Sequence, residues 1–413
     1  MPKYFISFLI FFLSLFVCGR GVYPAFAEIQ SDFPNYYTAA HLVLANEPLD
    51  ELYDDEWFQL QIEINGIDEE GKFSPFPPLT AIVLLPFAHF TPIVAKQIWT
   101  VINILLLIAN IFLLASLLKK DFAFSLLLFL LSGWALINAI KLGQLYLLLV
   151  FTILLGYKLY TENEKILSGI VFGMMIPIKY FPVIFLIYFI IAKEWRVVFA
   201  TVITVCVLSI AGIIVMGWSI HSEFISTVFV SHVTGNLSHQ NMFSGSFQSW
   251  ASLLRRLYIY DESANPFPLR RWEAGFDIFL SGVIFIISAV TILTIKKITT
   301  FSKKYQMGFS SSLLSIAALL LSPATATYHF LLLVLPIAFL LKYSQSYQYL
   351  WYYFLFITTF AIIGYIPYSI FKVYDGMGIL TLLAYPRLGM MCELFIVATL
   401  FINRFYRDNP TNS

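Results

Sequence analysis

Apolar residues along this chain come in long unbroken runs, not in the half-apolar periodicity of a helix or strand that keeps one face in water. Twelve runs can be marked off as crossings of a hydrocarbon layer about 30 Å thick. They are 4–17, 96–118, 122–139, 142–160, 166–176, 180–192, 197–217, 276–295, 307–321, 327–341, 347–365 and 377–402. Two polar stretches interrupt them. The first is an acidic island over 31–92, which opens with Ser31-Asp32-Phe33-Pro34-Asn35-Tyr36-Tyr37 and holds Phe73-Ser74-Pro75-Phe76-Pro77-Pro78-Leu79. The second lies over 218–275.

Basic residues sort between the runs. Lys119-Lys120, Lys158 with Lys165, Lys193 with Arg196, Lys296-Lys297 with Lys303-Lys304, Lys342, and Arg404 with Arg407 all face the cytoplasm under one topology. That topology puts both termini inside and both polar stretches outside. It requires 79–90 to be an amphiphilic helix lying on the outer face. It also requires 166–192 to be two short helices, broken at Pro177-Ile178-Lys179-Tyr180-Phe181-Pro182, where the prolines remove backbone donors. A rival count lets 79–90 span and keeps 166–192 whole; it leaves Lys119-Lys120 outside and is disfavoured for that reason.

The expected fold is therefore an all-α polytopic membrane protein of about 12 transmembrane helices in a single integral membrane domain, 1–413. It divides into a first helix (1–20), an outer catalytic loop carrying juxtamembrane helices (21–94), helices (95–217), a second outer loop (218–275), helices (276–402) and a cytoplasmic tail (403–413). Run 4–17 with Ala25-Phe26-Ala27 imitates a signal peptide and its cleavage site. We read it as a retained span that delivers Asp32 to the far surface. A lipoprotein reading at Cys18 is weaker, because bulky Val17 stands where a small residue is expected.

Composition agrees with the runs. The chain is 59% hydrophobic and 12% charged with a mean hydropathy of +0.81, about half the charge of an ordinary soluble domain. A net charge of +1 offers no basic field for nucleic acid. Cys18, Cys206 and Cys392 lie in separate apolar runs and read as core residues. No Gly-rich phosphate loop, HExxH, CxxC or nucleophile elbow occurs, and the chain has no room for a nucleotide-binding domain. No metal and no cofactor is implied, and a phosphorylated substrate has to arrive through the membrane.

The chosen topology brings five polar features to one side: Asp32, the Lys141-Leu142-Gly143-Gln144 turn, Lys179, the 236–256 stretch and His329. Asp32 opens a helix through Tyr36, Tyr37, Ala40 and Leu44; it is either an N-cap or a general base at the membrane boundary. Lys179, between two prolines, either snorkels or clamps a phosphate; Lys141 is similar but less confined. His329 is an ionisable group at the mouth of an apolar helix. Gln248-Ser249 with Arg255-Arg256 downstream suits phosphate oxygens. His232, Asn236, His239 and Gln240 lack metal-cage spacing, and Asn236-Leu237-Ser238 is a glycosylation sequon that chance produces often. Tyr36, Trp57 and Trp250 offer rings for stacking on a sugar.

Taken in order, these elements resemble a known family. Asp32, Tyr36-Tyr37, Ala39-Ala40 and Leu52-Tyr53-Asp54 follow one family pattern, and Pro77-Pro78-Leu79 through Trp99 another, with Phe76 in place of the usual Tyr. Gly143-Gln144, Gly173 to Pro182, Gln248 to Arg255 and Ser322-Pro323 to Pro336 follow further ones, with Phe247 for Asn and Tyr328 for His. Together they resemble the polyprenyl-phosphate-mannose-dependent integral membrane glycosyltransferases of family 87, with the GT-C fold. The resemblance implies an inverting hexosyltransferase of cell-envelope biosynthesis in the bacterial inner membrane, its site facing the periplasm, with a polyprenyl-phosphate sugar donor (most readily mannose). Asp32 falls on the family's base. On this reading Lys179, His329, Arg255, Arg256 and Lys141 hold the donor phosphate, and Tyr36, Tyr37, Gln144, Gln248 and Trp250 meet acceptor or sugar. The acceptor is a glycolipid or glycan hydroxyl; partners are these substrates and membrane lipids, with the oligomeric state unknown.

Two other readings compete. A transporter or flippase of lipid-linked saccharide fits the helix count, but transporters carry internal repeats and midplane sites. No repeat is found, and the polar features gather at one face. A GT-C-type ligase moving whole glycans shares the general fold and fits the same spacing.

Overall fold

The computed structural model describes residues 3–74, 76–233 and 241–409. Asn236, His239 and Gln240, with the sequon, lie outside the described residues, as does the side chain of His232. The described chain is helical and contains no strand. Five helices are long and apolar enough to cross a membrane, and two bent pairs bring the number to seven. The remaining expected crossings are shorter apolar helices such as Tyr146–Thr161, Lys165–Met175 and Thr327–Tyr343, so about twelve full-length spans are not found among the described residues.

Several of the runs are broken. Run 122–139 bends by 82° between Phe122–Leu131 and Trp134–Lys141. Gly133 sits there at φ +55, where an added Cβ would stand 2.4 Å from Gly364 O. Run 166–192 does break at Pro177 to Pro182, as expected, into Lys165–Met175 and a piece that is 3-10 over Phe181–Phe185 before it turns α-helical over Leu186–Ile191. Run 377–402 divides into a 3-10 segment Gly378–Ala384 and the helix Pro386–Asp408. The first helix also continues past residue 20, through a π turn at Cys18–Val22, to Ala27.

Large apolar side chains such as Phe8, Phe11, Ile203, Val207, Ile214, Phe285 and Leu293 are exposed. An aqueous surface does not tolerate such a display, whereas lipid is its natural solvent. This is an integral membrane protein. Cys18 and Cys206 are exposed on those same apolar helices, not in the core, because the apolar runs carry an outward lipid face as well as an inward one.

The chain divides into two compact units. The first comprises Met1–Leu130, Leu136–Leu186 and Glu194–Thr234. Its helices Tyr146–Thr161, Lys165–Met175 and Trp195–Met216 approach closely at small residues: Ser168 Oγ donates to Gly156 O at 2.8 Å, and Thr201 Oγ1 to Gly169 O at 3.0 Å. At one end Glu194 accepts from Lys165 at 2.7 Å and Tyr160 at 2.9 Å.

The acidic island in this unit is no open loop. It folds into the helices Asp32–Leu44 and Asp55–Ile64 and the 3-10 turns Pro78–Ile82 and Leu85–Phe87. These share a buried core of Phe33, Tyr36, Phe58, Ile62, Phe73, Leu79 and Leu84 with Trp99. Segment 79–90 accordingly contributes core side chains as 3-10 turns; it is not an amphiphilic α-helix. Tyr53 donates its hydroxyl to Phe76 O at 2.8 Å, tying the stretch before helix Asp55–Ile64 to the proline-rich segment after it.

The second unit comprises Leu131–Ala135, Ile187–Lys193 and Gly235–Ser413. Phe301, Tyr305, Phe309, Tyr343, Phe401 and Phe405 form an aromatic cluster among its helices. Ser249 Oγ donates to Pro323 O at 2.6 Å and Gln248 N to Thr325 O at 3.0 Å, which fix the start of helix Trp250–Tyr258 against the turn after Leu321.

Candidate active site

The break between the first helix and Asp32–Leu44 is where polar chemistry begins. Ser31 stands at the N-cap with φ +46 and makes no side-chain cap, and its N–H goes to Glu69 Oε2 at 3.3 Å. Asp32 is therefore the first helical residue and not the cap, so its carboxylate is free for other partners. Those partners come from three further segments of the same unit. The Gln144 side chain approaches the carboxylate without closing a full hydrogen bond, and Lys179 and Lys96 both lie within Coulomb reach of it.

Each partner is placed by its own backbone. Helix Trp134–Lys141 ends with Gly143 at φ +68 and Gln144 N donating to Ala139 O at 2.9 Å, the six-to-one bond of a glycine-terminated helix. That reversal carries the Gln144 amide inward, where its Oε1 accepts the Tyr36 hydroxyl at 2.8 Å. A side chain at Gly143 is disfavoured by its left-handed φ, and its Cβ would lie 2.7 Å from Lys96 Nζ, which would have to shift. Trp99 Nε1 donates to Gly143 O at 2.9 Å and secures the turn.

Lys179 emerges from the broken helix. Thr80 Oγ1 donates to Ile178 O at 2.9 Å, so the Pro77-Pro78 segment holds the break directly. The ammonium lies 4.3 Å from the Phe76 ring centroid, 5.5 Å from Tyr146 and 5.6 Å from Tyr36. Three rings around one cation favour it electrostatically while leaving its charge unneutralised by contact. Lysine 96 was not anticipated as a site residue. It lies one turn before Trp99, fully buried, with Nζ donating to Lys141 O at 2.8 Å and standing 5.1 Å from the Phe33 ring. Its signal in the sequence was a lone lysine opening a 23-residue apolar run.

Of the other expected residues in this unit, Lys141 supplies its carbonyl to Lys96. Tyr37 is 3% exposed, gives its hydroxyl to Phe90 O at 2.8 Å and stacks on Phe33 and His41. It packs the helix against its neighbours.

Gln248, Trp250, Arg255, Arg256 and His329 belong to the second unit. Gln248 is buried; its Nε2 donates to Gly245 O and Ala384 O, and its Oε1 accepts the backbone N–H of Arg387. The amide joins these loops. Arg256 forms an ion pair with Asp375 at 2.9 Å and also donates from its two terminal nitrogens to the carbonyls of Phe243 and Ala264, while its Nε is buried without a partner. Arg255 lies 4.7 Å from the Phe276 ring with Asp277 within Coulomb reach. The indole N–H of Trp250 is buried without a partner. His329 Nδ1 accepts the Ala326 N–H at 2.8 Å and its ring lies on Tyr328.

The sequence model of glycosyltransferase family 87 matches residues 75–323, more than half of the chain. The chain belongs to glycosyltransferase family 87. No curated protein matches it. The family makes it a membrane glycosyltransferase, which takes a sugar donor and an acceptor. The matched residues include Lys96, Gln144 and Lys179, whereas Asp32 and His329 fall outside them. This family-87 chain thus joins a carboxylate from before the match to two cations and an amide within it.

Proposed function

We propose that this protein is an inverting glycosyltransferase that moves a hexose, mannose by family resemblance, from a polyprenyl-phosphate donor to a hydroxyl of a glycolipid or glycan on the periplasmic face of the bacterial inner membrane. The observation that carries the reading is the convergence of the Asp32 carboxylate, the Gln144 amide and the Lys179 and Lys96 ammonium groups in one unit. A glycosyl phosphodiester carries its own leaving group, so the reaction needs cations to hold the departing phosphate and a base for the acceptor hydroxyl. Asp32 is the base: it takes the proton as the acceptor oxygen attacks the anomeric carbon, and attack opposite the phosphate inverts that carbon. Lys179, held among three rings, is the phosphate cation. Lys96 and Gln144 position the carboxylate, and the two ammonium charges offset the cost of holding it away from water.

The test is Asp32→Asn in purified protein with a polyprenyl-phosphate sugar and total membrane lipid, product read by mass spectrometry. Transfer should fall by about 10²–10⁴-fold, with donor binding close to wild type. Transfer within about tenfold of wild type would remove Asp32 from the role of base.

A further inference from the structure

We propose that Arg387, at the N-terminal end of the last helix, forms a binding site for a phosphate-type oxyanion that the transfer chemistry above does not use. Arg387 is 2% exposed, and a buried guanidinium is tolerated only with a counter-charge or a full set of hydrogen bonds. It has neither. Two other shielded basic groups have an acid in contact: Arg256 pairs with Asp375 at 2.9 Å and Lys165 with Glu194 at 2.7 Å. No carboxylate pairs with Arg387 among the described residues. Its Nη1 donates to Thr327 Oγ1 at 2.6 Å, the guanidinium carbon lies 5.7 Å from the rings of both Phe330 and Tyr368, and Nε is buried without any partner.

The donors left over favour an oxyanion. Thr327 Oγ1 accepts from the guanidinium, so its own hydroxyl proton is available to donate. Nε–H and the Thr327 hydroxyl are then two unused donors on neighbouring groups, which suits phosphate oxygens. Thr327 and Tyr368 are partly exposed, so the charge is one side chain from the surface. Gln248 Oε1 fixes the Arg387 backbone N–H at 3.2 Å, holding the residue in place from a third segment. Under the charge topology Arg404 and Arg407 mark the cytoplasmic end of this helix, so Arg387 stands at the opposite end, where a basic residue is not required for orientation.

The oxyanion is either free phosphate or the phosphate ester of a lipid, and the two are separable. The full chain, purified in maltoside detergent, is titrated with inorganic phosphate and with a short-chain phosphatidic acid, binding being followed by calorimetry and stoichiometry by native mass spectrometry. Wild type should bind at least one probe saturably through a component that Lys179→Met leaves in place. Thr327→Val keeps the guanidinium and should weaken that component by about tenfold, and Arg387→Met should remove it. Binding of phosphatidic acid alone assigns a lipid headgroup; equal binding of both assigns the oxyanion itself. Should Arg387→Met fail to fold, Thr327→Val and Arg387→Lys decide: wild-type affinity in both overturns the proposal, as does the absence of saturable binding to wild type. Loss of sugar transfer in Asp32→Asn leaves this binding unaffected, so the two readings fail separately.

Discussion

Substituting Lys96 by Met separates a positioning cation from a structural one. The stem is kept and the ammonium removed. In the structure that ammonium is fully buried, donates to Lys141 O at 2.8 Å, stands 5.1 Å from the Phe33 ring and acts on Asp32. A hydrogen bond from a charged group contributes about 1.5–3 kcal/mol. Removing the charge also removes the cost of burying it, which is several kcal/mol in a low-dielectric site, so folding stability should change little. The effect belongs to the reaction: Asp32 loses one of its two neighbouring cations and the contact that orders the turn beside it. Losing about 1.5–3 kcal/mol in the transition state slows turnover by about 10- to 150-fold. Donor affinity should stay near wild type, because Lys179 is untouched. The assay is steady-state sugar transfer with kcat and KM resolved, on protein whose thermal unfolding has been checked. Gly143→Ala supplies a second arm, since its Cβ would fall 2.7 Å from Lys96 Nζ and displace the ammonium while also straining the left-handed turn. Turnover within twofold of wild type for folded Lys96→Met, with Gly143→Ala likewise active, refutes the positioning role.

Lys179→Met should weaken donor binding by at least about tenfold, the scale of one charge-assisted hydrogen bond. Lys179→Arg should restore part of it, since a planar fork fits a three-ring cage less well than an ammonium; unchanged titration of donor into Lys179→Met shows that the lysine only snorkels. Cysteines introduced at Asp68 and Ser263 should react with a membrane-impermeant maleimide in intact spheroplasts and one at Thr300 should not; protection of the Asp68 site reverses the topology.

Hydropathy by itself determined the class of this protein: a helical membrane protein with a polar, acidic island between its first two long apolar runs. The prolines placed the break at Pro177 to Pro182, because proline chemistry is local and acts whatever surrounds it. The order of short motifs led to the family without any fold, since each motif is a backbone or side-chain requirement written at fixed spacing. Asp32, Gln144 and Lys179 could all be singled out in this way, as residues whose polarity is out of place.

Tertiary structure alone decided what those residues touch. Hydropathy averages over a window, so it could not show that run 122–139 turns by 82° where Gly133 meets Gly364, a contact between residues more than two hundred positions apart. The acidic island looked like a loop because its apolar residues are diluted by acids; only their convergence on one buried core with Trp99 makes it a folded layer. Charge identity says nothing of pairing, so Arg256 and Arg387 look alike in sequence. One lies against Asp375, and the other is buried with only a hydroxyl and two rings for company. Lys96 was hidden for the same reason: a lysine at the mouth of an apolar run reads as snorkelling until the fold covers it on every side, and burial is a property of neighbours that the chain brings from elsewhere.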